Sequence, residues 1–146
     1  MAFVSFQNLK VYQLSEQLAD TAWVIVRSWD NFSRDTVGKQ LVRAADSVGA
    51  NIAEGCGRHS AVDNRRFVRI ARGSLLEAQH WLRRAYQRKL LKPEQIATLQ
   101  GTIENLAPVL NGYLRSISGR SKLQSRGETR NTKHETRNTK HEIRNT

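Results

Sequence analysis

The sequence predicts an all-α protein: an up-down-up-down antiparallel four-helix bundle with a disordered C-terminal tail. Three observations predict it. Four stretches carry apolar residues every three or four positions, the period of one helix face. Short polar, glycine- or proline-bearing connections join them, as antiparallel neighbours require. Beyond about Ser118 the apolar pattern stops. At 146 residues the chain is one domain's worth of protein, long enough for a real core. It divides into a bundle over 1–118 and a tail over 119–146.

The first helix, about 9–29, follows Val11, Leu14, Leu18, Ala22, Ile25 and Trp29. Tyr12, Ala19, Trp23 and Val26 widen its apolar face beyond the stripe that one core needs. A subunit contact or unusually deep burial would each use that surface. Asp30 to Thr36 is a polar connection in which Ser33 or Asp35 is available to cap the next helix.

The second helix, about 36–55, repeats Val37, Leu41, Ala44, Val48 and Ile52, and beside them Gly38, Val42, Ala45, Gly49, Ala53 and Cys56. Side chains this small let other backbones come close on two sides. Gly55 and Gly57 offer places where positive φ is cheap and the helix can end. A polar stripe of Arg43, Ser47, Asn51 and Glu54 is positioned to set how helices or subunits meet, together with Arg58, Glu77 and Trp23.

Ser60 is a good N-cap for a third helix, about 60–90, with Asp63 in its first turn where negative charge suits the helix dipole. Its apolar face runs through Phe67, Ile70, Ala71, Ser74, Ala78, Trp81, Leu82 and Ala85. Gly73 beside Ser74 costs up to about 1 kcal/mol against alanine, which a close helix contact would justify. Lys92 and Pro93 open the fourth helix, about 93–117, along Ile96, Leu99, Ile103, Leu106, Leu110, Tyr113 or Leu114, and Ile117. Pro108 inside it should kink the helix or free a carbonyl one turn earlier. The tail repeats ETRNTKH from Glu128; no two positions of the repeat are consistently apolar, so a disordered basic segment is expected.

Charge sets the functional expectation. Lys plus Arg number 24 against 13 acids, a net +11. Such an excess points to an anionic partner, most commonly nucleic acid, with a membrane surface as the alternative. The tail carries eight basic and three acidic residues, and the helical part keeps 16 against 10. No apolar run of about 18 residues could span a bilayer, and the amino end lacks the form of a signal peptide, so a cytoplasmic protein is expected. The single cysteine, Cys56, fits a reducing compartment and reads as a packing residue.

On a helical wheel Arg65, Arg69, Arg72 and Arg83 share a narrow sector of the third helix, flanked by Arg66, Arg84 and Arg88. At 1.5 Å per residue this stripe extends roughly 27 Å, enough to follow several phosphates. A face built only for solubility would mix signs, and this one holds almost no acid. Leu76 lies among the arginines and could instead meet a subunit. The turn from Gly55 to Ser60 is better read as a helix-ending glycine turn than as an anion site. Glu77-Ala-Gln-His80 has the Glu-x-x-His form of di-iron bundles but occurs once, without the further glutamates such sites need. Neither a metal nor a cofactor is expected. Glu54 and Glu77 read as acids paired with arginines such as Arg43 or Arg58. No nucleophile, base and orienting group stand together, so the protein is expected not to be an enzyme.

QLVRAADSVGANIAEGCGR from Gln40, followed by FVRIARGSLLEAQHWL from Phe67, resembles the four-helix bundle family named for proteins encoded in intervening sequences (IVS) of 23S ribosomal RNA genes. NIAEG-x-x-R and ARGS-x-x-E occur together at the expected separation, and FQNLKVYQLSEQL resembles the family's first helix. The resemblance implies a bacterial bundle that assembles into a ring, a homopentamer. It also implies similarity to the accessory variability determinant proteins of diversity-generating retroelements, which bind a reverse transcriptase and nucleic acid. The leading expectation is a non-enzymatic oligomer that binds nucleic acid, RNA before DNA. The alternative is an accessory adaptor that docks a reverse transcriptase.

Overall fold

The computed structural model describes the backbone of residues 5–142 and the side chains of residues 5–118; the expected disordered tail, 119–146, lies outside the residues described in full. After a 3-10 turn (Ser5–Asn8) come four long helices: α1 (Lys10–Arg27), α2 (Lys39–Cys56), α3 (Ala61–Gln87) and α4 (Pro93–Glu142). No strand occurs among the described residues. The helices pack in cyclic order, α1 on α2, α2 on α3, α3 on α4 and α4 on α1, while the backbones of the diagonal pairs stay apart. This is the four-helix bundle that the periodicity predicts. No described helix is long and apolar enough to cross a membrane.

The predicted stripes form the core. Leu18, Leu41, Val48, Ile52, Leu106, Leu110 and Ile117 are fully buried, at least one from each of α1, α2 and α4. Val68, Ala71, Leu75, Ala78, Leu82 and Ala85 close it from α3. Each buried Leu or Ile removes enough apolar surface from water to favour folding by about 1.5–3 kcal/mol. The surplus apolar surface of α1 mostly goes inward: Val26 is buried, and Tyr12 and Ala19 pack against the core. Trp23 remains 52% exposed.

The approach to α2 differs from expectation. Asp30 is the cap, accepting from the Ser33 amide at 3.0 Å and from the Ser33 hydroxyl at 2.8 Å, so neither Ser33 nor Asp35 fills that role. A turn of α-helix (Asn31–Ser33) then passes through five π-helical residues (Arg34–Gly38) into α2. The wide turn seats Gly38 against the end of α1. A Cβ there would lie 2.6 Å from Val26 Cγ1 and 3.3 Å from the Trp29 ring.

The small-residue stripe of α2 does bring two neighbours close, but the glycines act through space rather than through backbone freedom. No glycine among the described residues has positive φ, and Gly57 caps α2 at φ −80°. A Cβ on Gly49 would meet Ser15 Oγ of α1 at 3.2 Å. One on Gly55 would meet α3 at Asn64 Oδ1 (2.6 Å), Phe67 Cβ (3.1 Å) and the Asn64 carbonyl (3.2 Å). Gly73 reverses expectation: nothing lies within 4 Å of its Cβ position, because Ser74, one residue on, makes the close approach to α2.

At its start α3 is capped as predicted, with Ser60 Oγ accepting from the Asp63 amide at 3.1 Å. Its end is a Schellman motif: Leu90 N–H donates to the Ala85 carbonyl at 2.9 Å and Lys89 N–H to that of Tyr86 at 3.1 Å. The motif needs a left-handed residue, and Lys89, at φ 59°, is the one non-glycine residue described with positive φ. In α4, Pro108 lies within the helix, and the carbonyl it leaves without an amide belongs to the exposed Glu104, where water can serve it.

Candidate nucleic-acid interface

Because Val68, Ala71, Leu75, Ala78, Leu82 and Ala85 of α3 face inward, the opposite face of that helix must face out. It carries Arg66, Arg69, Arg72, Arg83 and Arg88 exposed, with Arg65 and Arg84 half-buried. Their side chains have few claims on them. Among the described residues one salt bridge forms, Arg58 Nη2 to Glu54 Oε1 at 2.8 Å. None of the seven predicted arginines therefore has a carboxylate within salt-bridge distance. Arg84 donates to the Gln87 side chain. Arg65 Nε is buried without a hydrogen-bond partner.

Phe67 adds a feature that periodicity did not reveal. Placed in the core stripe by its spacing, it is only half-buried. Its ring lies under two guanidinium groups, Arg58 at 4.7 Å and Arg66 at 5.1 Å. The ring attracts cations through its quadrupole, so it fastens the turn after α2 to the first turns of α3 and sets two positive charges side by side. The adjacent Arg66-Phe67 pair gave a signal for one contact; the Arg58 contact depends on how α2 and α3 cross.

The same face bears apolar residues. Val62 is 57% exposed, Leu76 63%, and Ile70, expected in the core, is 47% exposed because it lies outside the inward sector. With Gly73 they make a low, partly apolar surface between the arginines.

The polar stripe of α2 divides. Ser47 Oγ lies 2.9 Å from Ser74 Oγ, and Asn51 Nδ2 donates to the Ser47 carbonyl (2.8 Å) and hydroxyl (3.0 Å). These three residues join α2 to α3. Glu54 pairs with Arg58 as expected, whereas Arg43 is exposed with no partner described. Glu77 departs from expectation: it is exposed and accepts from Trp81 Nε1 at 3.4 Å, with no arginine in reach. His80 stacks edge-on against Trp81 at 4.8 Å. Among the described residues no three His, Cys, Asp or Glu side chains come together as metal ligands. Cys56 is half-buried, its Sγ 3.5 Å from Tyr113 Oη.

Two acids meet where α1 and α2 pack. Partial desolvation, and then the charge of Asp20 on α1, raise the pKa of Asp46 on α2 from its ordinary value. On α3 six arginines outnumber the two acids, Asp63 and Glu77. That local excess gives the α3 face a positive field that can guide an anion before contact.

No curated protein matches this sequence. A family profile described as 23S rRNA-intervening sequence protein matches residues 7–112, which spans α1 to α3 and the first part of α4 with its arginine-bearing face. The chain therefore belongs to the 23S rRNA-intervening sequence protein family.

Proposed function

We propose that this protein is a non-enzymatic, cytoplasmic nucleic-acid-binding bundle that contacts RNA through the outer face of α3 and assembles into a homo-oligomeric ring, a pentamer. The observation that carries this reading is the set of arginines on one helix face with no carboxylate partner. A guanidinium left free of a carboxylate keeps its planar fork available for phosphate oxygens. The family's name, drawn from intervening sequences of 23S rRNA, favours RNA over DNA. Ring symmetry would repeat the patch and multiply a modest affinity.

The test is equilibrium binding of RNA across a salt series, with the wild-type protein and an Arg66→Ala/Arg69→Ala/Arg72→Ala variant. Binding should weaken steeply with salt. Loss of three phosphate contacts should flatten the log–log slope by about 2 for a single strand. An affinity insensitive both to salt and to these substitutions refutes the reading. A second reading, an adaptor docking a protein such as a reverse transcriptase, is favoured by Leu76, Val62 and Ile70 on the same face. It predicts that Leu76→Asp abolishes capture of the partner while RNA affinity stays the same.

A further inference from the structure

A cavity of about 370 Å³ opens between the last turns of α3 and the first turns of α4. Its floor is apolar, with Leu82 and Leu99 buried and Ile103 half-buried. Its mouth carries hydrogen-bonding groups: the Arg83 guanidinium, the Tyr86 ring and hydroxyl, and the side-chain amides of Gln79 and Gln100. None of these four has a hydrogen bond described for its side chain, in contrast to the neighbouring Arg84, which is engaged by Gln87. The volume falls in the range of small-ligand pockets, roughly 300–1,000 Å³.

Charge around the mouth narrows the class of ligand. Between Glu77 and Glu94 the chain contains no acid, and Arg83, Arg84, Arg88, Lys89 and Lys92 crowd the end of α3 and the turn that follows. Lys89 occupies the left-handed position of the Schellman motif, where glycine would be free of strain. A cation is thereby held beside Leu90 and Leu91, the latter part of the cavity wall. An occupant that matches this lining combines an apolar body, edges that hydrogen-bond with amides, and negative charge just outside.

We propose that this cavity receives an unpaired nucleotide: the base enters between α3 and α4 against Tyr86, Gln79 and Gln100 address its edge, and Arg83 with Lys89 holds the flanking phosphates. Bases in a duplex are stacked and paired and cannot enter such a recess, whereas single-stranded RNA is read by splaying bases onto aromatic side chains. The inference rests on the arginine-face reading and narrows it, from RNA in general to RNA with exposed bases.

The experiment compares a single-stranded RNA oligonucleotide carrying one 2-aminopurine with the same strand in a fully paired duplex. It uses the full chain at low salt, and the variants Tyr86→Ala and Gln100→Trp, the second of which fills the cavity from its open side. The single strand should bind more tightly than the duplex, and the 2-aminopurine emission should change on binding. Tyr86→Ala should weaken single-strand binding by about 5- to 150-fold, the range for one base stacked on an aromatic ring. Gln100→Trp should remove the emission change, and duplex affinity should be unaffected by either variant. Equal affinity for strand and duplex, unaltered by both variants, overturns the cavity proposal and leaves the arginine-face reading standing. Binding of neither RNA overturns both. A fall in oligomer mass on Tyr86→Ala, with RNA binding intact, assigns the cavity to a second copy of the chain and likewise overturns the proposal.

Discussion

Gly73 sits mid-way along α3 and Gly55 in the last turn of α2, and the bundle treats them oppositely. Replacing Gly73 by alanine improves intrinsic helix propensity by about 1 kcal/mol, and replacing Gly55, at a helix end, improves it by less. At Gly73 nothing in the chain opposes that gain, since the Cβ position is open to 4 Å. At Gly55 the new methyl would sit 2.6 Å from Asn64 Oδ1, 3.1 Å from Phe67 Cβ and 3.2 Å from the Asn64 carbonyl oxygen. The amide of Asn64 can swing away, but the other two atoms are fixed to the backbone of α3, and relieving them means moving the helix. Overpacking of this kind costs about 1–3 kcal/mol. Gly55→Ala combines this cost with a smaller propensity gain than Gly73→Ala, so the two variants should differ by at least the crowding, about 1–3 kcal/mol. Urea unfolding followed by far-UV circular dichroism measures it, given equal slopes for the two transitions. Gly73→Ala should raise the midpoint and Gly55→Ala should leave it unchanged or lower it. Equal stabilisation of both would refute the claim that α2 and α3 cross with no room for a Cβ. Destabilisation by Gly73→Ala would place that residue in a contact between copies.

Three further outcomes follow from particular residues. Lys89→Gly removes a left-handed strain of about 1 kcal/mol, so it should raise Tm by about 3–4 °C while weakening RNA binding, and thermal unfolding alongside a binding titration checks both. Asp30 and Asp46 should respond to acid with opposite signs. The Ser33 amide lowers the pKa of Asp30, so the cap contributes stability above the ordinary carboxylate pKa and loses it as pH falls through the lowered value. Asp46 has a raised pKa, so its protonation favours the folded state. Asp46→Asn should therefore stabilise the protein at neutral pH, with the gain over wild type shrinking as acid protonates the native carboxyl; a gain that persists unchanged at low pH would refute that assignment. Gly38→Ala should destabilise the bundle, because Val26 Cγ1 and the Trp29 ring already fill the space, and a denaturation midpoint at or above wild type would contradict it.

Sequence and structure agree where a property is local or periodic. The helix face buried along Leu41, Ala44, Val48 and Ile52 was legible because spacing of three and four on a 3.6-residue turn permits little else. The Ser60 cap and the outward arginines followed from the same logic. The misreadings have two causes. Gly55 and Gly57 looked like positions for positive φ, Ile70 and Phe67 like core, Glu77 like a partner for arginine, and Ser33 or Asp35 like a cap. The Asp30 cap and the Glu77–Trp81 bond are local contacts that displaced the expected ones, whereas the crowding at Gly55 and the Phe67–Arg58 contact depend on how far one helix is shifted against another, which a single helix's pattern does not contain. The π-helical Arg34–Gly38 adds such a shift by inserting an extra residue into the turn.

By itself the sequence determined four amphipathic helices, their order, the excess of positive charge and the face of α3 that carries it, since each depends on residue type and periodicity along one segment. The tertiary structure decided which small residues serve as contacts, which cations remain unpaired and where a cavity opens. Those properties belong to distances between helices, and they are set only when the packed core fixes one helix against the next.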